Sequence, residues 1–141
     1  MVIEDEYLAY GANYFRLCNE YEKYGSLVIG FDFDGTVHDY HHTGAKYDKV
    51  IQLLKDLKSI NCKLICWTAY RDLDYVKAFL TNHNIPFDGI NEGGIPLPWE
   101  SKKPFFSALL DDRAGLRQVY QELTKLVETF KKKKNEPTTV N

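Results

Sequence analysis

The sequence predicts an α/β protein whose central β-sheet is mostly parallel. Short apolar runs of strand length alternate along the chain with longer amphipathic runs that have the period of a helix. Because a helix that joins two strands of one sheet leaves them parallel, this alternation favours helices packed on a parallel sheet. The chain has 141 residues, of which 44% are apolar and 27% are charged, and these values are typical of a single globular domain.

The charge and the cysteine content exclude several classes of protein. The net charge of −2 and the pI of about 6.1 leave no general basic surface for long nucleic acids or anionic membranes. The three cysteines, an odd number, fit no disulfide framework, which favours a reducing cytoplasm, and Cys62 and Cys66 are expected to be small buried thiols. No apolar run is long enough to cross a membrane, and the N-terminus has no signal-peptide pattern.

Residues 4–24 are predicted to form an amphipathic helix ahead of the α/β domain. Its tyrosines recur mostly at steps of three or four, the period of one helix face: Tyr7, Tyr10, Tyr14, Tyr21 and Tyr24. We expect this face to pack on the domain, and the alternative is a surface for a homo-oligomer or another partner, since tyrosine is enriched at interfaces. The chain then divides into an N-terminal helix at 1–25, the α/β domain at 26–134 and a disordered tail at 135–141.

The first predicted strand covers residues 27–30 and runs into a pair of aspartates. Side chains alternate between the two faces of a strand, so Asp32 and Asp34 would share one face. Two neighbouring carboxylates repel each other, and a divalent cation is the commonest group that offsets the repulsion. Gly35 then permits a tight turn. Aspartate and glycine are also common in turns that bind nothing, which is the alternative interpretation of this stretch.

A polar segment follows, and it contains three of the four histidines: His38, His41 and His42. A transition-metal site would need each histidine held by a defined element, whereas this segment has the composition of a loop. We therefore interpret it as a mobile flap over the site, with a zinc site as the alternative. A helix is predicted next at residues 48–60, and Asp48 is its expected N-cap.

The remainder of the chain continues the alternation of strands and helices. The predicted elements are, in order, a strand at 62–68, a helix at 72–82, a turn and short strand at 84–91, a loop rich in proline and glycine at 93–99, a strand at 105–110 and a helix at 114–132. Parallel strands present their carboxyl ends at one edge of a sheet, where open α/β sheets bind ligands. Asp32, Thr68 and Asp111 follow three of these strands, so we expect them to converge.

The residue types at this edge fit phosphoryl transfer. Carboxylates and water suit Mg²⁺, which also binds substrate phosphates. Asp32 is placed to attack phosphorus, and Asp34 to protonate the leaving oxygen. Thr68 offers its hydroxyl, and Ala69 its backbone N–H, to phosphoryl oxygens, while Lys103 would stabilise the developing charge. Two arginines could add bidentate contacts to phosphate, or could instead be ordinary surface residues: Arg71 and Arg113.

The ordered set of motifs resembles the haloacid dehalogenase-like (HAD) hydrolase superfamily. The motifs are Asp-x-Asp-Gly-Thr at 32–36, Thr68 after a strand, Lys103 or else Lys102, and Asp111-Asp112 after a further strand. They fall within residues 27–113. The resemblance implies a Rossmann-like three-layer sandwich, dependence on Mg²⁺ and an aspartyl-phosphate intermediate. It also implies metal ligation by Asp32, the backbone carbonyl of Asp34 and Asp111, with Asp112 beside these ligands.

The same resemblance implies a member without a cap domain. Family members often carry a cap after the first motif or between the second and third, and here neither gap has room for one, because loops and single helices fill them. A small phosphorylated metabolite or nucleotide is then the expected substrate. A polynucleotide 3′-phosphatase is one alternative, which the charge does not favour, and a catalytically silent binding protein of the same fold is another.

Overall fold

The computed structural model describes residues 5–135. Its centre is a β-sheet of four parallel strands, which confirms the predicted α/β class. The strands are β1 (Val28–Phe31), β2 (Lys63–Cys66), β3 (Gly89–Ile90) and β4 (Ala108–Leu110). They lie side by side in the order β3, β2, β1, β4, so that β1 is central and pairs with both β2 and β4.

Four α-helices and one short 3₁₀-helix complete the described part of the chain. They are the 3₁₀-helix Glu6–Leu8, α1 (Ala12–Tyr24), α2 (Asp48–Ser59), α3 (Leu73–Asn82) and α4 (Leu116–Asn135). Buried apolar side chains from all four α-helices join one cluster with those of the sheet. Loops and α2 separate β1 from β2, while α3, β3 and loops separate β2 from β4. Within residues 5–135, therefore, no cap domain interrupts either connection.

The two faces of the sheet are covered differently. Ile29 and Phe31 of β1 are fully buried against the helices, because alternate residues of a strand point to the same face. Gly30 lies between them, and its missing side chain leaves room for the ring of Phe106 on the opposite face. Residues 91–107, which contain no helix, supply the cover on this second face. The sandwich therefore has a layer of helices on one side of the sheet and a layer of loop on the other.

The N-terminal helix is shorter than the sequence predicted. The helix α1 begins only at Ala12, because Gly11 adopts the left-handed conformation (φ +79°) ahead of it, and a separate 3₁₀-helix precedes that turn. Tyr14 and Tyr21 pack toward the core, where the Tyr21 hydroxyl donates to the carbonyl of Ile60 at 2.7 Å. The other tyrosines of the segment are exposed: Tyr7, Tyr10 and Tyr24. The predicted single aromatic face is thus divided between the core and the surface.

Two predicted element ends also differ from the structure. The N-cap of α2 is Tyr47 and not Asp48, which is the first residue of the helix, and no side chain caps this end. The helix α4 extends to Asn135, which the sequence analysis assigned to the disordered tail. The other residues of that tail, 136–141, and residues 1–4 lie outside the described residues. No helix of the described chain combines the length and the hydropathy that crossing a membrane requires.

Candidate active site

Three carboxylates follow two neighbouring strands at the carboxyl edge of the sheet. Asp32 comes directly after β1, and Asp111 and Asp112 come directly after β4. The backbone N–H of Asp32 donates to the carbonyl of Leu110 at 2.9 Å, which extends the pairing of the two strands to the aspartate itself. The strand order reverses here, since β2 and β3 lie on one side of β1 and β4 lies on the other. Such a switch point is where open α/β sheets bind ligands.

The three side chains form a compact cluster. Each of Asp32, Asp111 and Asp112 offers one carboxylate oxygen, and these oxygens all lie within 4.8 Å of one another. Gly35 makes room for this arrangement, because a Cβ atom added there would lie 2.8 Å from Oδ2 of Asp112. Its φ of +76° also lies in the left-handed region that glycine adopts at low cost. Asp112 is therefore a full member of the cluster.

Electrostatics at the cluster favour the binding of a cation. Burial, together with a hydrogen bond with Asp112 and the charge of Asp111, raises the pKa of Asp32 to about 7. A carboxyl group with a raised pKa shows that its charged form is disfavoured in the metal-free protein. A divalent ion would reverse this balance, and an all-oxygen donor set suits hard cations such as Mg²⁺ or Ca²⁺. The cluster could therefore hold a metal ion.

Asp34 lies outside the group of clustered carboxylate oxygens and pairs with a buried histidine. Its Oδ1 lies 2.7 Å from Nδ1 of His38, and the other ring nitrogen, Nε2, lies 3.1 Å from the hydroxyl of Tyr75. The His38 ring stacks on Phe33 with a centroid distance of 4.4 Å and is only 7% exposed. The carboxylate of Asp34 is not among the clustered oxygens, which leaves its backbone carbonyl as the metal ligand predicted from the resemblance.

His38 is therefore a fixed part of the site and does not belong to the predicted mobile flap, while the interpretation of the exposed residues after it as a flap stays a prediction. His38 is held at the site by its ring contacts and by a tight turn, in which its backbone N–H donates to Phe33 at 2.9 Å and its carbonyl accepts from Gly35 at 3.0 Å. His41 and His42 are exposed further along the loop. The three histidines do not form a metal cluster within the described residues. Sequence reasoning missed the Asp34–His38 pair, although a spacing of four residues was a usable signal.

Thr68 lies beyond the end of β2 and is held in place by Asn91, a residue that the sequence did not single out. The side chain of Asn91 accepts from the backbone N–H of Thr68 and donates to its carbonyl, both at 2.8 Å. The Thr68 hydroxyl accepts from the N–H of Tyr70 at 3.0 Å, so its own hydrogen remains available to a ligand. Among residues 5–135 the backbone N–H of Ala69 makes no hydrogen bond. The signal for Asn91 was its position at the end of the predicted turn and short strand at 84–91.

The predicted cationic residues are not in contact with the cluster. Lys103 lies on the exposed loop before β4, where its backbone N–H donates to the hydroxyl of Ser101 at 3.1 Å. The ion pairs of residues 5–133 include neither Lys103 nor Lys102. Arg71 is exposed just ahead of α3. The structure thus brings together Asp32, Asp111 and Asp112, while the roles of Thr68, Ala69, Lys103 and Arg71 stay predictions.

Comparison with known proteins supports the fold alone. No family model and no curated protein matches the sequence. A conserved protein from Bacteroides thetaiotaomicron has a similar structure, with a TM-score of 0.58 and 23% sequence identity over 71% of this chain and 91% of that one. A structural-genomics target from Vibrio cholerae is more distant, with a TM-score of 0.43 and 21% identity over 74% of this chain and 98% of that one.

Proposed function

We propose that this protein is a Mg²⁺-dependent phosphomonoester hydrolase of the HAD type, which acts through an aspartyl-phosphate formed on Asp32. One observation carries the proposal. Asp32 ends the central strand, and its carboxylate comes within 4.8 Å of those of Asp111 and Asp112 at the end of the neighbouring strand. A carboxylate nucleophile beside a cluster that suits a hard cation is what this route of phosphoryl transfer requires.

The order of the motifs along the chain supports the same reaction. Asp-x-Asp-Gly-Thr follows β1, Thr68 follows β2, and Asp111-Asp112 follows β4. Three of the four motifs of the resemblance therefore lie at the carboxyl ends of parallel strands, the edge where this fold class binds substrates, while the lysine motif lies on the loop before β4. A metal ion alone would need only the acidic cluster. The additional hydroxyl and backbone donors near Thr68 suit a phosphoryl group.

In this proposal Asp32 is the nucleophile, and Asp34 is the general acid and then the general base. In the first step an oxygen of Asp32 forms a bond to phosphorus while the ester P–O bond breaks, and the leaving oxygen takes a proton from the Asp34 carboxyl group. In the second step Asp34 takes a proton from water, the water oxygen attacks phosphorus, and the bond to Asp32 breaks to release inorganic phosphate. His38 holds the Asp34 carboxyl group through both steps by its hydrogen bond.

The groups around Asp32 and Asp34 would stabilise the negative charge of the phosphate. Mg²⁺ held by the Asp32 and Asp111 carboxylates, the Asp34 carbonyl and the nearby Asp112 would neutralise the phosphate and favour the ionised form of Asp32. The hydroxyl of Thr68 and the N–H of Ala69 would donate to the phosphoryl oxygens. Two cationic side chains on exposed segments would complete the site when substrate is bound, and they are Lys103 and Arg71.

Hydrolysis of p-nitrophenyl phosphate tests this function. The purified protein should release phosphate with Mg²⁺ and stop when EDTA removes the metal. Asp32→Asn should reduce the rate to background, because an amide cannot form the covalent intermediate. Asp56→Asn is a matched control, since Asp56 is a carboxylate on α2 that pairs with Lys131 away from the cluster. Full activity in Asp32→Asn would show that the proposed mechanism is wrong.

A further inference from the structure

A cavity of about 280 Å³ opens beside Thr68, on the face of the sheet that the loop at 91–107 covers. Its walls combine polar side chains with apolar and aromatic ones, and the apolar and aromatic set includes Trp67, Ile95, Trp99 and Phe105. The ring of Trp67 is held by Phe106, with centroids 5.6 Å apart and the rings nearly perpendicular. The cavity is therefore a recess that offers both aromatic faces and polar groups.

Two residues that line the cavity, Trp67 and Asn91, are neighbours of Thr68 in sequence or by hydrogen bond. Trp67 immediately precedes Thr68, and its backbone N–H donates to the carbonyl of Phe31 at 2.8 Å, one residue before Asp32. Asn91 lines the cavity and also holds Thr68 through two hydrogen bonds. A substrate whose phosphate lies between Asp32 and Thr68 would thus have the rest of its structure adjacent to the aromatic walls.

The chemistry of the walls selects a flat aromatic group. Indole rings stack on nucleobases regardless of base identity, and each such contact contributes substantially to binding. Polar side chains at the opening, namely Glu92, Ser101 and Lys102, could bond to the edge of a base. A sugar phosphate or a short phosphorylated acid would instead leave the faces of Trp67 and Trp99 without a flat ring to stack on.

We propose that this cavity binds the base of a phosphorylated nucleoside whose phosphate is removed at Asp32. The proposal rests on the phosphatase function above and names its substrate class. A volume of about 280 Å³ is at the small end for ligand pockets, so it has room for one base. The net charge of −2 favours a free nucleotide over the end of a long strand as the source of that base.

Tryptophan fluorescence tests the binding without any catalysis. The chain has two tryptophans, and both line this cavity, so indole emission reports on it alone. Adenosine and uridine should quench the emission saturably, after correction for their absorbance, while ribose 5-phosphate and inorganic phosphate should not. Emission that is unchanged by nucleosides, or changed equally by ribose 5-phosphate, would overturn the proposal.

A pair of variants tests the link to substrate choice. Trp99→Ala should lower the ratio of kcat/KM for a nucleoside monophosphate to that for ribose 5-phosphate by about 5- to 150-fold, and Trp99→Phe should restore most of it. Phe15→Ala is the matched control, because Phe15 and Trp99 are both 65% exposed and neither supports the core. An unchanged ratio in Trp99→Ala would contradict a role in base binding.

The two proposals can fail separately. If nucleosides quench the fluorescence but no phosphate ester is hydrolysed, the cavity assignment stands and the phosphatase function is wrong. If phosphate esters are hydrolysed but nucleosides do not bind, the phosphatase function stands and the assignment of the cavity to a base is wrong. A comparison of free nucleoside monophosphates with a 3′-phosphorylated oligonucleotide distinguishes the two sources of the base, and preference for either one supports the base-binding cavity.

Discussion

Asp34 and the buried His38 form a pair, with Oδ1 of the aspartate 2.7 Å from Nδ1 of the histidine. With a proton on Nδ1, the imidazole donates to Asp34 and its Nε2 can accept from the hydroxyl of Tyr75 at 3.1 Å, so both contacts are satisfied. The ring is fixed between Phe33 and Phe79, at centroid distances of 4.4 and 4.8 Å. The carboxyl group that we propose as the proton carrier therefore has one defined orientation.

His38→Ala should impair hydrolysis most for substrates with poor leaving groups. An alkyl leaving oxygen needs the proton that Asp34 supplies, whereas p-nitrophenolate leaves readily without it. We expect the loss of rate to be on the order of 10-fold larger for an alkyl phosphate than for p-nitrophenyl phosphate. Steady-state kinetics on the two substrates measure the difference.

His41→Ala is the control for this prediction, since His41 is exposed and lies outside the site. The loss of rate in Tyr75→Phe should lie between those of His38→Ala and His41→Ala, because this change removes only the hydroxyl that contacts Nε2 of His38. Equal losses of rate on both substrates in His38→Ala would indicate that the histidine supports the fold and not the orientation of Asp34.

The metal-free protein should lose stability as the pH rises from about 4 to about 7. The pKa of Asp32 is raised from 3.8 to about 7, first by burial and then by the neighbouring carboxylates. In this interval the folded protein holds a proton that the unfolded chain has released, so the free energy of unfolding decreases as the pH increases. Chemical denaturation in EDTA at about pH 5 and about pH 8 measures the change, which should be smaller in Asp32→Asn.

Mg²⁺ should restore the stability that is lost at the higher pH. The ionised cluster would bind the cation in the folded state only, and such binding would raise the free energy of unfolding by RT ln(1 + [L]/Kd). KCl at the same ionic strength is the control, because general screening would act without the site. A pH dependence that is identical in wild type and Asp32→Asn would rule out Asp32 as its source.

Gly35→Ala should weaken metal binding as well as stability. The new methyl group would lie 2.8 Å from Oδ2 of Asp112 and would displace that carboxylate from the cluster. Gly44→Ala is a close control, since Gly44 has nearly the same φ (+78° against +76°) but no atom within 4 Å of an added Cβ. Both variants should lose about 1 to 2 kcal/mol of stability from the left-handed backbone.

Only the Gly35 variant should also need more Mg²⁺ for half-maximal phosphate release. Titration of activity with Mg²⁺ in the two variants separates backbone strain from the displacement of Asp112. If Gly44→Ala shows the same increased requirement, the contact between Gly35 and Asp112 is not its cause.

The sequence could predict that Asp32 and Asp111 lie at the same edge of the sheet, because this depends on the direction of their strands more than on the order of the strands. Each residue follows an apolar run, and parallel strands present their carboxyl ends at one edge. That β1 and β4 are direct neighbours could not be predicted, since strand order is decided by packing between distant segments. The membership of Asp112 in the cluster depends in turn on the turn geometry at Gly35.

The burial of His38 was beyond sequence reasoning for a related physical reason. It lies in a run of polar residues that has the composition of a loop, and two of the rings that enclose it, Tyr75 and Phe79, come from α3, much later in the chain. The aromatic recess at Trp67 and Trp99 was hidden in the same way, because a loop rich in proline and glycine gives no periodic signal. The periodicity of apolar residues therefore predicts helices and strands well, but it predicts contacts that loops make with distant segments poorly.

Thr36→Val should stabilise the protein by about 1 kcal/mol. Thr36 is fully buried, and its hydroxyl has no hydrogen-bond partner among residues 5–133. Burial of a hydroxyl without a partner costs free energy, and the nearly isosteric valine removes that cost. Thr124→Val on α4 is the matched comparison, since its hydroxyl is also buried without a partner in the described chain but lies away from the site. Urea denaturation of both variants measures the change. A gain in Thr124→Val together with a loss in Thr36→Val would mean that the Thr36 hydroxyl is hydrogen-bonded in solution, and phosphate-release assays would then show whether that bond serves the Asp32 site.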